Sequence, residues 1–148
     1  MSALTAHRYA DHGHGAPADR LVLSYEDRFL RRKVLRTESG RDLLVDLPQT
    51  TSLNHGGVLV AESGEEIAVV AAVEPLLEVT GDNLTRLAWH IGNRHTPCQV
   101  EADRLLIRRD HVLAEMLRGL GATLTEVALP FTPEGGAYGH GRTHGHAH

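Results

Sequence analysis

From residue 21 to residue 73 the apolar positions come in short runs broken by turn residues. Leu21, Val22 and Leu23 form one run. A second spans 29–35 and is interrupted by Arg31-Arg-Lys33. Ser39-Gly40 is a turn signal, followed by 43–47, which runs into Pro48. His55-Gly56-Gly57 precedes 58–60, and Ser63-Gly64 separates that run from 67–73. Runs of four to eight residues at this spacing, bounded by Gly and Pro, predict strands, and no stretch here carries a helical stripe. Residues 19–73 therefore read as a small all-β domain.

After Glu74 the period changes. Residues 76–79 read as a strand. Gly81-Asp82 opens a helix in which Leu84, Leu87, Ala88 and Ile91 recur at i, i+3, i+4 and i+7, and Gly92 suits its C-terminal cap. Residues 99–102 and 105–108 are two strands around Asp103. Asp110 is a good N-cap for a second helix with a stripe at Leu113, Met116, Leu117 and Leu120, stopped by Gly121. Residues 123–129 form a last strand before Pro130. The β-α-β-β-α-β order predicts a ferredoxin-like domain over 74–132, and the chain is α+β as a whole. Residues 1–18 carry His7, His12 and His14 among Gly, Ala, Asp and Pro, and 133–148 are rich in Gly and His. Neither end has the apolar surface to offset the entropy of ordering, so a disordered arm and a disordered tail are expected.

Composition narrows the classes. The 148 residues suit one domain or two small ones, and 41% hydrophobic content supports a modest core built mainly from Leu, Val, Ile and Ala. Two cores of that size favour oligomerisation. A formal charge of −4 counts against a nucleic-acid partner. The one cysteine, Cys98, cannot form an intrachain disulfide, which points to a reducing cytosol. With no apolar run of spanning length and no signal-peptide core, the expectation is a soluble cytoplasmic protein without a membrane partner.

The chemistry lies in histidines. His90 and His95 bracket the expected end of the first helix, and His140, His144, His146 and His148 punctuate the tail. Imidazole is a preferred ligand of nickel, zinc and copper. Five residues along a helix turn about 140° around its axis, so His90 and His95 do not share a face and a one-helix chelate is not expected. Pro97 biases Thr96 toward an extended conformation and places His95 on an edge loop. Local pattern leaves two readings of His95 open: a metal ligand needing partners from elsewhere, or a histidine bonding backbone at a helix cap. His111, in the first turn of the second helix, reads alone as a surface residue, and His55 as a turn residue. The five basic residues Arg28, Arg31, Arg32, Lys33 and Arg36 fit a solvated face better than a dock for an acidic partner. No nucleophile elbow, phosphate loop or dinucleotide fingerprint is present, and Cys98 with His95 three residues away does not make an activated nucleophile.

Three segments carry a resemblance to a known family: Leu87-Ala-Trp-His-Ile-Gly-Asn-Arg-His-Thr-Pro97, Asp110-His-Val-Leu-Ala-Glu-Met-Leu117 with Gly121 following, and the His-rich tail. The chain resembles the UreE urease accessory metallochaperones over about residues 20–148. The resemblance implies a partner-binding β domain, a ferredoxin-like domain that dimerises and binds nickel, and a variable tail. It implies that His95 of each subunit meets at a shared Ni(II) site, that His111 stands where a variable second histidine occurs, and that tail histidines add ligands. His90 and the four tail histidines complete the candidate set. Zn(II) or Cu(II) would bind the same donors in vitro. The implied partners are a second copy of the chain, the urease apoprotein complex and its accessory GTPase. Arg109 departs from relatives with a histidine there, and the His-containing N-terminal arm is unusual.

Three rival classes differ in testable ways. A metalloenzyme needs three fixed ligands and an acid or base beside an open position; only His95 is well placed, so no enzyme is expected. An RNA-binding module on this topology stacks bases on strand aromatics, and 99–102 and 105–108 have none. A nickel or zinc storage protein shares the chemistry and differs from a delivery protein in whether urease activation depends on it.

Overall fold

The computed structural model describes residues 3–135. The chain divides into two compact units, Met1–Ala72 and Val73–His148.

The first unit is a six-stranded sheet in the order β2-β6-β5-β1-β4-β3. Its strands are β1 (Leu4–Ala10), β2 (Asp19–Leu23), β3 (Phe29–Arg36), β4 (Asp42–Ser52), β5 (Val58–Ala61) and β6 (Glu66–Ala71), with one 3-10 turn at Glu26–Arg28. Inward positions alternate along them, and Leu21, Leu43, Val45, Leu59 and Ile67 are at most 1% exposed in the shared core. β2 and β3 are the two outer strands of this order, yet the sheet curls until their ends meet. The Glu38 N–H donates to the Arg20 carbonyl at 2.8 Å, and the Ser39 N–H donates to Asp19 Oδ1 at 3.2 Å. Asp19 is the buried clasp. It also accepts from the Ser39 hydroxyl and from Arg41 Nε, and Arg41 Nη1 continues to Glu65 Oε2 at 3.1 Å. Burial alone would raise the Asp19 carboxyl, but hydrogen bonds from Ser39, Thr37 and the Arg20 N–H outweigh it and hold the group well below the usual carboxylate range.

Two expectations are corrected here. Residues 1–18 were expected as a disordered arm, but 4–10 form β1, an interior strand. It pairs parallel with β4 and antiparallel with β5, burying Leu4 and Ala6. Tyr9 fixes its end: the Asn54 N–H donates to the Tyr9 hydroxyl at 2.8 Å, and a Cβ on Gly57 would collide with that ring. The second correction concerns Pro48, which was expected to end its strand. β4 runs through it to Ser52, because the β3–β4 ladder jumps from Arg32↔Asp46 to Leu30↔Thr51. The proline falls in that irregular stretch, where no ladder N–H is required.

The second unit is a four-stranded antiparallel sheet in the order β10-β7-β9-β8, with two helices. The elements are β7 (Val73–Thr80), α1 (Leu84–Asn93), β8 (Gln99–Val100), β9 (Leu105–Arg108), α2 (His111–Gly119) and β10 (Thr123–Pro130). They follow the β-α-β-β-α-β order read from the sequence. Leu87 and Ile91 of α1 and Leu113, Ala114 and Leu117 of α2 pack with Leu77, Val79, Leu105 and Ile107. Both helices therefore cover one face of the sheet. By register, Leu76, Glu78 and Leu106 belong to the opposite face. No helix among the described residues is long and apolar enough to cross a membrane.

Candidate metal centre

α1 begins where the Asn83 side chain accepts from the Arg86 N–H at 3.1 Å, two residues later than the glycine read as its start. Its end overturns the expectation for Gly92. Gly92 is the last turn's interior, and the chain reverses at His95, whose φ is +58°. The His95 N–H donates to Gly92 O at 2.9 Å and the Thr96 N–H donates to Ile91 O at 3.4 Å, the paired bonds of a Schellman ending. α2 ends in the same way. There the Gly121 N–H donates to Arg118 O and the Ala122 N–H to Leu117 O, each at 3.0 Å, with Gly121 at φ +91°. One helix thus places glycine in the left-handed position and the other places histidine. A side chain there costs roughly 1–2 kcal/mol, and among the described residues His95 is the one non-glycine with positive φ. Such strain at an exposed polar residue points to function rather than folding.

Strand directions decide what surrounds it. β7 and β8 run one way, and β9 and β10 run the other. The α1–β8 loop, the β9–α2 turn and the exit of β10 therefore share one end of the sheet. That end brings together His95, His111 and the start of the C-terminal segment. His111 is exposed at the first residue of α2, after Asp110 caps the helix by accepting from the Leu113 N–H at 3.0 Å. His90 is half-buried in the last turn of α1, edge-on to the exposed Trp89 ring with centroids 5.0 Å apart. Among the described residues no three His, Cys, Asp or Glu side chains converge on a point that could hold a metal. His140, His144, His146 and His148 lie outside the described residues.

The other side chains at this end are committed elsewhere. Arg109 donates from Nε to Leu76 O at 3.1 Å and from Nη2 to Val127 O at 3.2 Å, which ties β7 to β10. The Cys98 thiol is pushed up to about 11, first by burial and then by the Glu134 charge, so it is a neutral thiol near pH 7 and packs with the apolar cluster. Two histidines of the expected N-terminal arm are engaged within the first unit. His7 bonds the Asp46 carbonyl and Glu62, and His14 bonds Glu66. His55 Nδ1 accepts from the Ala71 N–H at 3.0 Å, a structural role. Sequence reasoning missed the left-handed backbone of His95, since Gly92 offered a conventional stop signal three residues earlier. It also missed Gln99, whose amide receives the Thr132 N–H across the sheet at 2.8 Å.

Comparison with known proteins gives one answer for both units. Residues 2–72 match the model of the UreE urease accessory protein N-terminal domain, and residues 74–148 match that of its C-terminal domain. A urease accessory protein UreE of Ruegeria sp. is 68% identical over 147 residues, covering 97% of this chain and 84% of that protein. The UreE proteins of Ruegeria pomeroyi and Rhodobacter capsulatus are 66% and 60% identical, each over 92% of this chain and over 92% and 86% of their own lengths. The chain belongs to the UreE urease accessory protein family, whose members are accessory proteins and not enzymes.

Proposed function

We propose that this protein is a nickel metallochaperone that delivers Ni(II) to apo-urease while the urease active site is assembled. Family membership supports the urease role. The observation that carries the metal role is His95, an exposed imidazole held in a strained backbone at the end of the sheet that also carries His111 and the exit of β10. One chain offers too few converging donors among its described residues. A second copy supplies the missing ligand when the two His95 rings meet across a two-fold axis. Trp89 and Val112, each 63% exposed, neighbour His90 and His111 and give that end apolar surface for a homodimer to cover. His111, His90 and the tail residues His140, His144, His146 and His148 are the further ligands. In this reading the second unit is a ferredoxin-like metal-binding and dimerisation domain. The β domain docks the urease apoprotein complex and its accessory GTPase, and the protein works in the cytoplasm.

The chemistry suits a carrier. Imidazoles at a surface leave coordination positions for water and for an incoming acceptor ligand, so exchange proceeds stepwise. Copper outcompetes nickel on nitrogen donors and zinc binds them too, so specificity of delivery rests on docking rather than affinity. A storage protein would use the same donors. The separating experiment is urease activation in cells lacking this protein at limiting nickel, complemented with wild type or His95→Ala. Delivery predicts loss of activation without the protein and no rescue by the variant. Full activation without the protein favours storage.

A further inference from the structure

Gly92 is exposed and lies inside α1, in the last turn before His95. Glycine inside a helix is destabilising relative to alanine, because its backbone loses more freedom on folding. A left-handed backbone or a close approach that leaves no room for a Cβ would justify it. Neither holds within this chain. The glycines of positive φ are Gly15, Gly40, Gly56, Gly64 and Gly121, so Gly92 keeps a conformation any residue adopts. A Cβ on Gly92 would meet nothing within 4 Å among the described residues, whereas one on Gly57 would collide with Tyr9. α1 thus carries a notch that its own packing does not use. Trp89 stands beside it. Three residues apart on a helix, the two lie about 4.5 Å apart along the axis and about 60° apart around it, on one face. Trp89 is 63% exposed, and its ring is edge-on to His90.

We infer that Gly92 is a positioning residue of the shared metal site: it is the notch that receives the partner's Trp89, and the two reciprocal contacts set the spacing of the paired His95 residues. The inference rests on the proposal above that two His95 residues share one nickel ion. A protrusion and a notch side by side on one face are self-complementary. A two-fold axis between them lets each Trp89 fill the other copy's notch, which is an isologous contact. Tryptophan is also the residue type that most often anchors the centre of an interface. The distance between packed helices is set by the side chains at their contact, so a glycine there brings two copies of α1 close. His95 follows three residues later, within about 11 Å of backbone, and one chain alone offers no converging set of donors among its described residues.

Gly92→Leu fills the notch with a good helix former that the open space in one chain accommodates. The dilute variant is expected to keep the wild-type circular dichroism. Its metal-free dimer should dissociate at least tenfold more readily by sedimentation equilibrium, and its tight Ni(II) step should weaken at least tenfold by calorimetry. Trp89 is the sole tryptophan, so its emission should move to shorter wavelength as wild type is concentrated, and should not move in Gly92→Leu at the same concentrations. Trp89→Ala should weaken the dimer similarly, and adding Gly92→Leu to it should cost at most about twofold more, because both remove one contact. Gly92→Ala carries the test if the leucine variant does not fold. It should melt about 2–8 °C above wild type when dilute and weaken the dimer about threefold. A dimer undiminished in Gly92→Leu overturns the inference and leaves the shared site standing, whether or not Ni(II) binding changes. Full additivity of Gly92→Leu and Trp89→Ala overturns the pairing of notch and ring. If wild type binds Ni(II) tightly as a single chain, the shared-site proposal falls first and the role of Gly92 falls with it.

Discussion

Replacing His95 by glycine should leave the protein more stable than replacing it by alanine, while either substitution removes the proposed metal ligand. The backbone at His95 sits at φ +58°, fixed by N–H bonds to Gly92 O and from Thr96 to Ile91 O. A Cβ in that conformation costs roughly 1–2 kcal/mol. Glycine removes this cost but brings extra freedom to the unfolded chain, worth about 0.4–1 kcal/mol. The net gain is about 0.5–1 kcal/mol. For units of this size a change of 1 kcal/mol moves Tm by about 4–8 °C, so His95→Gly should melt about 2–8 °C above His95→Ala. Alanine is the right reference, because it keeps the Cβ and the strain while discarding whatever the imidazole itself contacts. Thermal unfolding followed by circular dichroism, at one protein concentration and with a chelator present, gives the difference. His95→Asn should fall between the two, since asparagine tolerates the left-handed region. Equal melting temperatures for the Gly and Ala variants would refute the claim that strain is stored at this residue.

Other expectations follow from the same geometry. Asp19→Ala leaves the Arg41 guanidinium and the Ser39 and Thr37 hydroxyls without their shared acceptor, and should cost about 3 kcal/mol in urea denaturation. Because the native Asp19 carboxyl is depressed, its stabilisation is complete above the unfolded value near 4 and declines as pH falls below it; wild type and Asp19→Ala should therefore converge in stability under strong acid. His7 behaves in the opposite sense. Both its ring nitrogens face acceptors, the Asp46 carbonyl foremost and then Glu62, with the Asp46 carboxylate 4.0 Å away and itself paired to Arg31 and Arg32. Its folded pKa is raised, so its contribution is complete below about 6.5 and is lost as pH rises through the folded value; the protection factors of β1 amides, relative to the unfolded chain at each pH, should fall over that interval in wild type but not in His7→Phe. Ni(II) affinity should fall between about pH 8 and about pH 5.5, because protons compete for imidazole nitrogen, and near-ultraviolet circular dichroism should stay unchanged across the same range if the ligands lie outside the core.

The parts of the fold legible in the sequence are those set by local periodicity. The stripe Leu84, Leu87, Ala88 and Ile91 fixed a helix, and Asp110 and Gly121 marked the ends of another. β1 was not legible, because its inward residues are few and small. Leu4 and Ala6 are buried only through pairing with β4 and β5, some forty to fifty residues away. Pro48 misled because its tolerance depends on a ladder irregularity that only β3 supplies. At the site, the histidines were legible as residue types, and the geometry of α1 argued against a chelate of His90 with His95. The backbone strain at His95 was not legible, because Gly92 is the expected stop and the chain continues helical through it. The hydrogen bond from the Thr132 N–H to Gln99 was hidden for a different reason. It joins residues 33 apart through a side-chain amide, and no sequence pattern marks such a bond.

Native mass spectrometry during a Ni(II) titration, run beside calorimetry on wild type and His95→Ala, decides whether two copies of His95 hold one nickel ion, as proposed. The expected result is a dimer that takes up one tightly bound Ni(II) per two chains before any weaker ions, and a His95→Ala protein that lacks this first step. Tight Ni(II) on a single chain, or a first step undiminished in His95→Ala, would contradict it.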